Sequence, residues 1–371
     1  MTVTRGFVTL VVFVLTVVIS KVAYDTYFHP LARYPGPPLS CVTDAVYWYH
    51  WLRGNLPFYI ARVHARYGTQ VRLSPNRLSF IEPEAWQDIH GRKSSGRKVK
   101  LIKDPRMYLT GPSMQEPSLL TEPDDERHRK MRKIFAPGFS DRALKAQEDL
   151  IRAHVDKLVS VLSREAKTGR RIDIVRFYNC TTFDIIGELA FGESLGLLDN
   201  SQLNDWVKSI LYSFERLAFY ALLLEYRILG YIAHFFLSKN LKKASAKNVA
   251  YTADRVRKRM DRGTVTNKAD FWTLVLSEHE SGSVSLEQMK SNAYLFVAAG
   301  SETTATMLSG LTYNLLMNPT KMKRVVDEIR SMITKEDDLT IENIQRLKYL
   351  DACFSESMRS RMTTTIALLH V

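Results

Sequence analysis

The stretch from Ser285 to Asn318 restricts the possible folds of this chain more than any other segment. Ser285 followed by Gln288 forms a capping-box pattern, and apolar residues then recur at helical spacing. Asn318-Pro319 is typical of the end of one helix and the start of the next. The residues between these signals, 286–317, predict a helix about 48 Å long. Such a helix is expected to run through the core of a domain.

The middle of this predicted helix, residues 298–304 (Ala-Ala-Gly-Ser-Glu-Thr-Thr), breaks the rules for helix formation. A glycine costs about 1 kcal/mol relative to alanine, and paired threonines are poor helix formers. Gly300 would let a flat ligand approach the backbone, and the Thr303 hydroxyl can bond the carbonyl of Ala299 and bend the helix. The pattern predicts a small polar notch beside the Glu302 carboxylate. A small-residue packing seam with a solvated Glu302 explains it equally well.

The overall charge and the cysteines limit the function classes. The net charge is +13, and the chain contains no zinc, RNA-binding or basic-zipper motif, so nucleic-acid binding is not favoured. An anionic membrane surface or an acidic protein partner suits this charge equally well. The three cysteines are widely spaced and form no CxxC pair, so neither a disulfide framework nor a zinc site is indicated.

The N-terminus carries an uncharged apolar run, Phe7 to Ile19, between Arg5 and Lys21. The run is short for a membrane span, so a cleaved signal peptide is an alternative. Apolar and aromatic residues continue beyond Lys21, which favours an uncleaved membrane anchor over residues 1–28. The proline-rich residues 29–38 predict a stiff, extended hinge. Residues 39–371 would form the body of the protein.

The body shows patterns of many helices and one short hairpin. Residues 71–73 and 78–81 alternate around a turn and predict the hairpin. Residues 206–237 are strongly apolar but are interrupted by charges, which predicts two helices meeting near Gly230 and not a second span. The other predicted helices are residues 83–91, the basic segment 124–135, residues 140–167, residues 319–333, a segment from 340, and residues 347–359.

Four features in series carry a specific resemblance: the N-terminal anchor, Pro35-Gly36-Pro37-Pro38, Ala299-Gly300-Ser301-Glu302-Thr303-Thr304, and Glu356-Ser357-Met358-Arg359. The sequence resembles the cytochrome P-450 family of haem-thiolate monooxygenases, above all the membrane-bound fungal enzymes that tailor secondary metabolites. The resemblance implies a mainly α-helical fold with a small β-sheet, a long central helix and a single N-terminal membrane anchor.

The resemblance also implies a set of residues that bind haem. Arg132, with His128 one helical turn earlier, would bond a haem propionate through a charge-assisted contact. Ala299 and Gly300 would lie against the porphyrin on its oxygen-binding side, and Thr304 belongs to the same cofactor-binding set.

The implied catalytic residues are Thr303 and Glu302. Thr303 would hydrogen-bond the oxygen that the haem iron binds, and Glu302 would relay protons for cleavage of the O–O bond. Glu356 and Arg359 would form a buried structural ion pair near the haem. An i,i+3 Glu–Arg pair is a common surface device, so only its position in the series makes it specific.

The expected function is insertion of one oxygen atom from dioxygen into a small apolar metabolite. The implied partners are an NADPH-dependent cytochrome reductase, which the basic surface would dock, and a membrane. The implied location is the endoplasmic reticulum, with the catalytic domain on the cytoplasmic side.

One feature of the family is not found in this sequence, the pattern F-x-x-G-x-R-x-C that supplies the axial cysteine thiolate. Cys41, Cys180 and Cys353 lie in other contexts, so no metal ligand is assigned. The residues after Arg359 contain no proline, which departs from the family pattern, and we expect a chain truncated before the cysteine loop. An inactive pseudoenzyme or a membrane-bound binding protein is therefore an alternative hypothesis.

Overall fold

The computed structural model describes residues 2–90, 103–104, 108, 114–226, 246–263, 271, 275 and 284–359. The chain divides into two compact units, Met1–Ile102 and Lys103–Val371. The described residues are mainly helical, and their strands form one two-stranded sheet. The predicted fold class, mainly α with a small sheet, is therefore confirmed.

The first unit begins with one long helix and ends with a hairpin and a short helix. Its elements are α1 (Thr2–Ala23), a π-helix (Tyr24–Phe28), α2 (Pro38–Val42), α3 (Ala45–Leu52), α4 (Leu56–Tyr67), β1 (Gln70–Ser74), β2 (Arg77–Phe80) and α5 (Pro83–His90). The strands are antiparallel, with Val71 opposite Ser79. The predicted hairpin and the helix beginning at Pro83 are both confirmed.

The N-terminal helix is long and apolar enough to cross a membrane. The candidate span, Thr4–Phe28, has 25 residues and a mean hydropathy of 2.4, and none of its most apolar window is buried. The helix continues past Lys21, which pairs with Asp25 one turn later. Its length and composition thus agree with a single N-terminal anchor. The helix is longer than the apolar run Phe7–Ile19.

The second unit contains the remaining helices. They are α6 (Asp125–Phe135), a 3-10 helix (Ala136–Phe139), α7 (Asp141–Ala146), α8 (Glu148–Ala166), α9 (Ile174–Phe191), α10 (Leu197–Asn200), α11 (Asp205–Glu225), α12 (residues 246–261), α13 (Leu286–Leu316), α14 (Pro319–Met332), a 3-10 helix (Glu336–Asp338), α15 (Ile341–Ile344) and α16 (Lys348–Ser357).

The helix predicted from Ser140 onward is present but interrupted. Ser140 caps a helix as expected, accepting from the Ala143 amide at 3.2 Å, but the predicted single helix is divided into α7 and α8 at Gln147. The Gln147 amide already bonds backbone carbonyls of α7 as its C-cap, so α8 starts as a new helix. The predicted meeting of two helices near Gly230 lies outside the described residues.

The core of the second unit lies between α9 and α13. Ring contacts connect Phe135 and Phe139 with Phe296 of α13, at centroid distances of 5.1 and 5.4 Å. The α9 residues Phe177 and Phe183 are almost fully buried in the same cluster. The long helix therefore runs through the core, as its length predicted.

Candidate functional site

The N-terminus of α13 is fixed by the predicted capping box. The Ser285 hydroxyl accepts from the Gln288 amide at 3.1 Å, and the Gln288 side chain accepts from the Ser285 amide at 3.1 Å. Because two unpaired helix donors are satisfied reciprocally, the start of the helix is well defined. Because the start of α13 is fixed, so is the direction in which each later residue of the helix faces, including those of the central motif.

Gly300 faces a neighbouring helix. A Cβ placed on Gly300 would meet Cδ1 and Cγ1 of Ile186 in α9 at 3.0 and 3.3 Å. The absent side chain therefore allows α9 to approach α13 closely, which is what the packing-seam interpretation predicts. Gly300 is only half-buried, so the approach of a flat ligand to its backbone stays a prediction.

The two threonines after Gly300 behave as the sequence suggested. The Thr303 hydroxyl donates to the Ala299 carbonyl at 2.6 Å, and the Thr304 hydroxyl donates to the Gly300 carbonyl at 2.9 Å. Such i to i−4 bonds let hydroxyl groups sit within a helix and bend it slightly. Ala299 and Thr304 are exposed and Thr303 is half-buried. This side of α13 therefore presents a small polar surface.

Glu302 is partly buried and bonded to a third threonine. The Thr306 hydroxyl donates to Oε1 of Glu302 at 3.2 Å, one helical turn away. The carboxylate is thus neither fully solvated nor enclosed in apolar core. A half-buried carboxylate beside hydroxyl groups can take up and release protons, which is the chemistry expected of a proton relay.

His128 and Arg132 lie one turn apart on α6, so their side chains share one helix face. Asp124 caps this helix, accepting from the Glu126 and Arg127 amides at 3.0 and 2.8 Å, as its acidic first turn favours. Arg132 is exposed, and His128 is half-buried.

The histidine carries little charge at neutral pH. Burial lowers the pKa of His128 below its usual value, and Lys103 and Arg132 lower it further, against the opposing influence of Asp125. At pH 7 the His128 ring is therefore neutral. Arg132 supplies the positive charge of this helix face, and His128 can add a neutral N–H donor.

Asn292 joins α6 and α13, and the sequence interpretation missed it. Its side chain is fully buried, accepts from the Leu119 amide at 2.8 Å, and donates to the Gln288 carbonyl at 2.8 Å. Its amide nitrogen also lies 3.4 Å from the sulfur of Met131 on α6. The signal that could have revealed it is a polar residue on the apolar stripe of the predicted helix.

The structural ion pair forms, but its surroundings differ from the prediction. Nε and Nη2 of Arg359 donate to the Glu356 carboxylate at 2.7 and 2.6 Å. In the part of the chain that the structure describes, the Arg359 side chain is 74% exposed and the Glu356 side chain is 58% exposed, so the pair is not buried there. The Arg359 hydrogen bond holds the pKa of Glu356 below its usual range.

Glu328 performs a role near this pair that the sequence did not indicate. Its carboxylate accepts from the Tyr349 and Leu350 amides at 2.8 and 2.9 Å, at the N-terminus of α16. Since unpaired helix amides carry partial positive charge, this contact joins α14 to α16.

Comparison with known proteins decides the family. The Cytochrome P-450 family profile matches residues 35–371. The chain belongs to the cytochrome P-450 family.

Individual P-450 relatives cover most of this chain. Cytochrome P-450 monooxygenase FUM2 of Gibberella moniliformis is 39% identical over 91% of this chain and 71% of its own length. Cytochrome P-450 monooxygenase AMT3 of Alternaria alternata is 38% identical over 91% of this chain and 68% of its own length. The averantin hydroxylase of Dothistroma septosporum is 35% identical over 92% of this chain and 63% of its own length.

Haem is the cofactor that P-450 membership implies, and some side chains on α6 and α13 have the chemistry that it needs. The exposed Ala299 and the hydroxyl of Thr303 suit the oxygen-binding side, where small and polar groups are needed. The shared helix face of His128 and Arg132 suits a propionate, because a guanidinium and an N–H donor bind carboxylates strongly.

The axial side does not fit the three cysteines present. A P-450 iron needs a thiolate, and none of the three cysteines lies in the F-x-x-G-x-R-x-C pattern that supplies it. Burial raises the pKa of Cys41 and Cys353 above its usual value, and raises the pKa of the fully buried Cys180 to about 11. No chemical step is assigned through the haem here, because the pattern that supplies its thiolate is not among these 371 residues.

Proposed function

We propose that the protein acts as a haem-dependent monooxygenase of fungal secondary metabolism, inserting one oxygen atom into a small apolar metabolite. Family membership supports the reaction class, and the fungal monooxygenases FUM2 and AMT3 and the averantin hydroxylase support the type of pathway. The observation that carries the proposal is the polar surface of α13, where the Thr303 hydroxyl bonds the Ala299 carbonyl beside the Glu302 carboxylate.

Haem would supply the oxygen-activating centre, and the residues of α13 would manage protons next to it. The Thr303 hydroxyl points its proton at the Ala299 carbonyl, which leaves the lone pairs of its oxygen available as acceptors. Rotation about its side-chain bond would turn the same hydroxyl into a donor. Glu302, bonded to Thr306, would hold the next proton of the relay.

The residues of α6 would orient the cofactor. Arg132 would pair with one propionate, and His128 would donate an N–H to it. Because both residues lie on one face of a capped helix, their backbone positions would be set before the cofactor binds.

The partners of the proposed enzyme are an electron donor and a membrane. The net charge of +13 suits an acidic, NADPH-dependent reductase, whose association would be steered by charge and weakened by salt. The apolar helix Thr4–Phe28 would anchor the protein in the endoplasmic reticulum, with the remainder on the cytoplasmic side. Deleting residues 1–28 is expected to remove carbonate-resistant membrane association.

A second candidate function is binding without turnover. The observation that favours it is that none of the three cysteines lies in the F-x-x-G-x-R-x-C pattern, because a haem held without a thiolate does not support this chemistry. The polar faces of α6 and α13 would then serve a membrane-bound binding protein.

One experiment separates the two functions. The 371-residue chain would be compared with the same chain joined to a segment of a relative that carries the F-x-x-G-x-R-x-C pattern. We expect the joined chain to show the thiolate-type carbon monoxide spectrum and reductase-dependent oxygenation, and the 371 residues alone to show neither. A joined chain that binds haem with a thiolate yet oxygenates nothing would contradict the monooxygenase proposal. A thiolate spectrum from the 371 residues would instead contradict the assignment of the cysteines.

A further inference from the structure

The C-terminal end of the candidate membrane helix lacks one backbone hydrogen bond because of its sequence. The helix ends as a π-helix, Tyr24–Phe28, and the His29 amide closes it on the Tyr24 carbonyl at 2.9 Å. The next bond of this series would run from residue 30 to the Asp25 carbonyl. Residue 30 is a proline, which has no N–H, so the Asp25 carbonyl cannot be satisfied within the helix.

A buried arginine of the β-hairpin satisfies this carbonyl. Nη1 of Arg72 donates to the Asp25 carbonyl at 2.7 Å, while Nη2 and Nε donate to the Pro75 carbonyl at 2.9 and 3.2 Å. The Arg72 side chain is 1% exposed. A guanidinium keeps its charge in the interior, and the negative end of a helix is a favourable place for it.

The Asp25 carboxylate is occupied elsewhere. Asp25 is only 3% exposed, and its carboxylate pairs with Lys21 on the preceding turn of the same helix. Arg72 is therefore bound to the end of the helix by the backbone carbonyl. The contact depends on the geometry of the helix end and not on a simple ion pair.

The following segment, predicted as a hinge, is held against the same hairpin. The Arg72 amide donates to the Pro35 carbonyl at 2.8 Å, and a Cβ on Gly36 would lie only 2.3 Å from the Arg72 carbonyl oxygen. Glycine is thus required where this segment meets β1. The amide and the carbonyl of Arg72 are therefore both in contact with the proline-rich segment.

A second contact fixes the start of this segment. Nδ1 of His29 accepts from the Leu31 amide at 3.0 Å, so the ring proton lies on Nε2. Nε2 faces the Asn76 side-chain oxygen of the hairpin turn at 3.2 Å. Two points on the hairpin, Arg72 and Asn76, therefore hold the ten residues that the sequence assigned to a hinge.

We infer that Arg72 is the C-terminal cap of the membrane helix and joins this helix without a hinge to the hairpin of the first unit. The bilayer would then fix the orientation of the hairpin directly, since the helix cannot swivel about residues 29–38. The inference rests on the membrane-anchor part of the proposed function, because the helix must enter a bilayer for the contact to orient anything.

Hydrogen exchange on the full chain in lipid nanodiscs tests the inference. The amide of His29, which donates to the Tyr24 carbonyl, and those of Ala32 and Tyr34, which are hydrogen-bonded within the segment, should be protected in the wild-type protein. Arg72→Met should accelerate their exchange by about tenfold or more, because a lost bond to a charged group favours local opening. Arg62→Met, at an exposed position on α4, is the matched control and should change nothing.

A protease supplies an independent measurement of the same opening. Cleavage after Arg33, followed by mass spectrometry, should be slow in the wild-type protein and in Arg62→Met, and faster in Arg72→Met. Arg72→Lys should give an intermediate rate, since an ammonium group can reach one carbonyl but lacks the planar fork.

Two results would overturn the inference, and a third would disprove only the membrane anchor on which it rests. Wild-type exchange rates in Arg72→Met would overturn it. Equal acceleration across α4 and residues 29–34 would also overturn it, because Arg72 would then support the whole unit. Extraction of the wild-type protein by carbonate would disprove the membrane anchor, whereas the exchange pattern would still show whether Arg72 caps the helix.

Discussion

The two halves of α13 differ in what surrounds them. In the first half, from Leu286 to Ala298, seven residues are buried, and Asn292 bonds the loop that precedes α6. In the second half, from Ala299 onward, only Ser301, Ala305 and Leu311 are buried among the residues that the structure describes. The first half is an element of the core, and the second half has one covered side and one open side.

The covered side of the second half is held by α9. Ile186 packs against Gly300, and the Tyr178 hydroxyl lies 2.8 Å from the Thr312 hydroxyl further along the helix. The open side carries Ala299 and Thr303. The difference shows that one helix can be rigidly positioned by one face while its other face presents reactive groups, which is what a site for positioned chemistry requires.

The largest effect is expected on the open side. In the joined chain with the thiolate-bearing segment, Thr303→Ala should keep haem binding but release hydrogen peroxide in place of oxygenated product. Proton delivery of this kind is typically worth about 10²–10⁴-fold in rate, so product formation should fall within that range. The measurement is the ratio of product to NADPH consumed.

Two controls accompany this substitution. Thr303→Ser retains the hydroxyl and should retain most of the coupling. Ser309→Ala removes a hydroxyl that makes the same kind of backbone bond, to the Ala305 carbonyl at 2.6 Å, and should leave coupling unchanged. Normal coupling in Thr303→Ala would exclude this threonine from proton delivery.

The next effect is expected in the buried half. Asn292→Leu has a similar volume but removes the buried acceptor of the half-buried Leu119 amide. An unsatisfied buried donor costs about 1–3 kcal/mol, so the free energy of unfolding should fall by that amount in a denaturant titration. Asn318→Leu, at an exposed bond near the end of the same helix, should have a much smaller effect. Equal losses in both variants would show that Asn292 does not join the elements as described.

The sequence predicted features that depend on neighbouring residues. The Ser285 capping box, the Thr303–Ala299 bond and the hairpin at residues 71–81 are local, and all three are present. Such patterns report hydrogen bonds within a turn or two of chain, where few alternatives exist. The order of the motifs along the chain then carried the family resemblance.

Features that depend on distant residues could not be predicted. The sequence could not show that Ile186 lies against Gly300, because more than a hundred residues separate them. The same holds for the contact of Arg72 with Asp25 and for the exposure of the Glu356–Arg359 pair. A local pattern identifies a residue that needs a partner, but the partner is chosen by tertiary packing.

A smaller effect tests the covered side of α13. Gly300→Ala adds a methyl group 3.0 Å from Cδ1 of Ile186 and also improves helix propensity by about 1 kcal/mol, so the two contributions oppose each other. We expect a change in unfolding free energy within about 1 kcal/mol. Adding Ile186→Val should relieve the crowding, which a double-mutant cycle measures as a favourable coupling energy. If the two changes were additive and Gly300→Ala weakened haem binding, Gly300 would face the cofactor and not α9.

The smallest effect concerns the exposed pair at the end of α16. The Arg359 hydrogen bond lowers the folded-state pKa of Glu356, so its stabilising contribution is fully present above the usual carboxyl pKa and is lost as the pH falls through the lowered value. Because both groups are exposed and screened by solvent, Glu356→Gln should shift the melting temperature only slightly at neutral pH. That small difference should vanish in strong acid and shrink in high salt. A large loss at neutral pH would instead mean that the pair is covered by other parts of the folded protein, as the family resemblance implied.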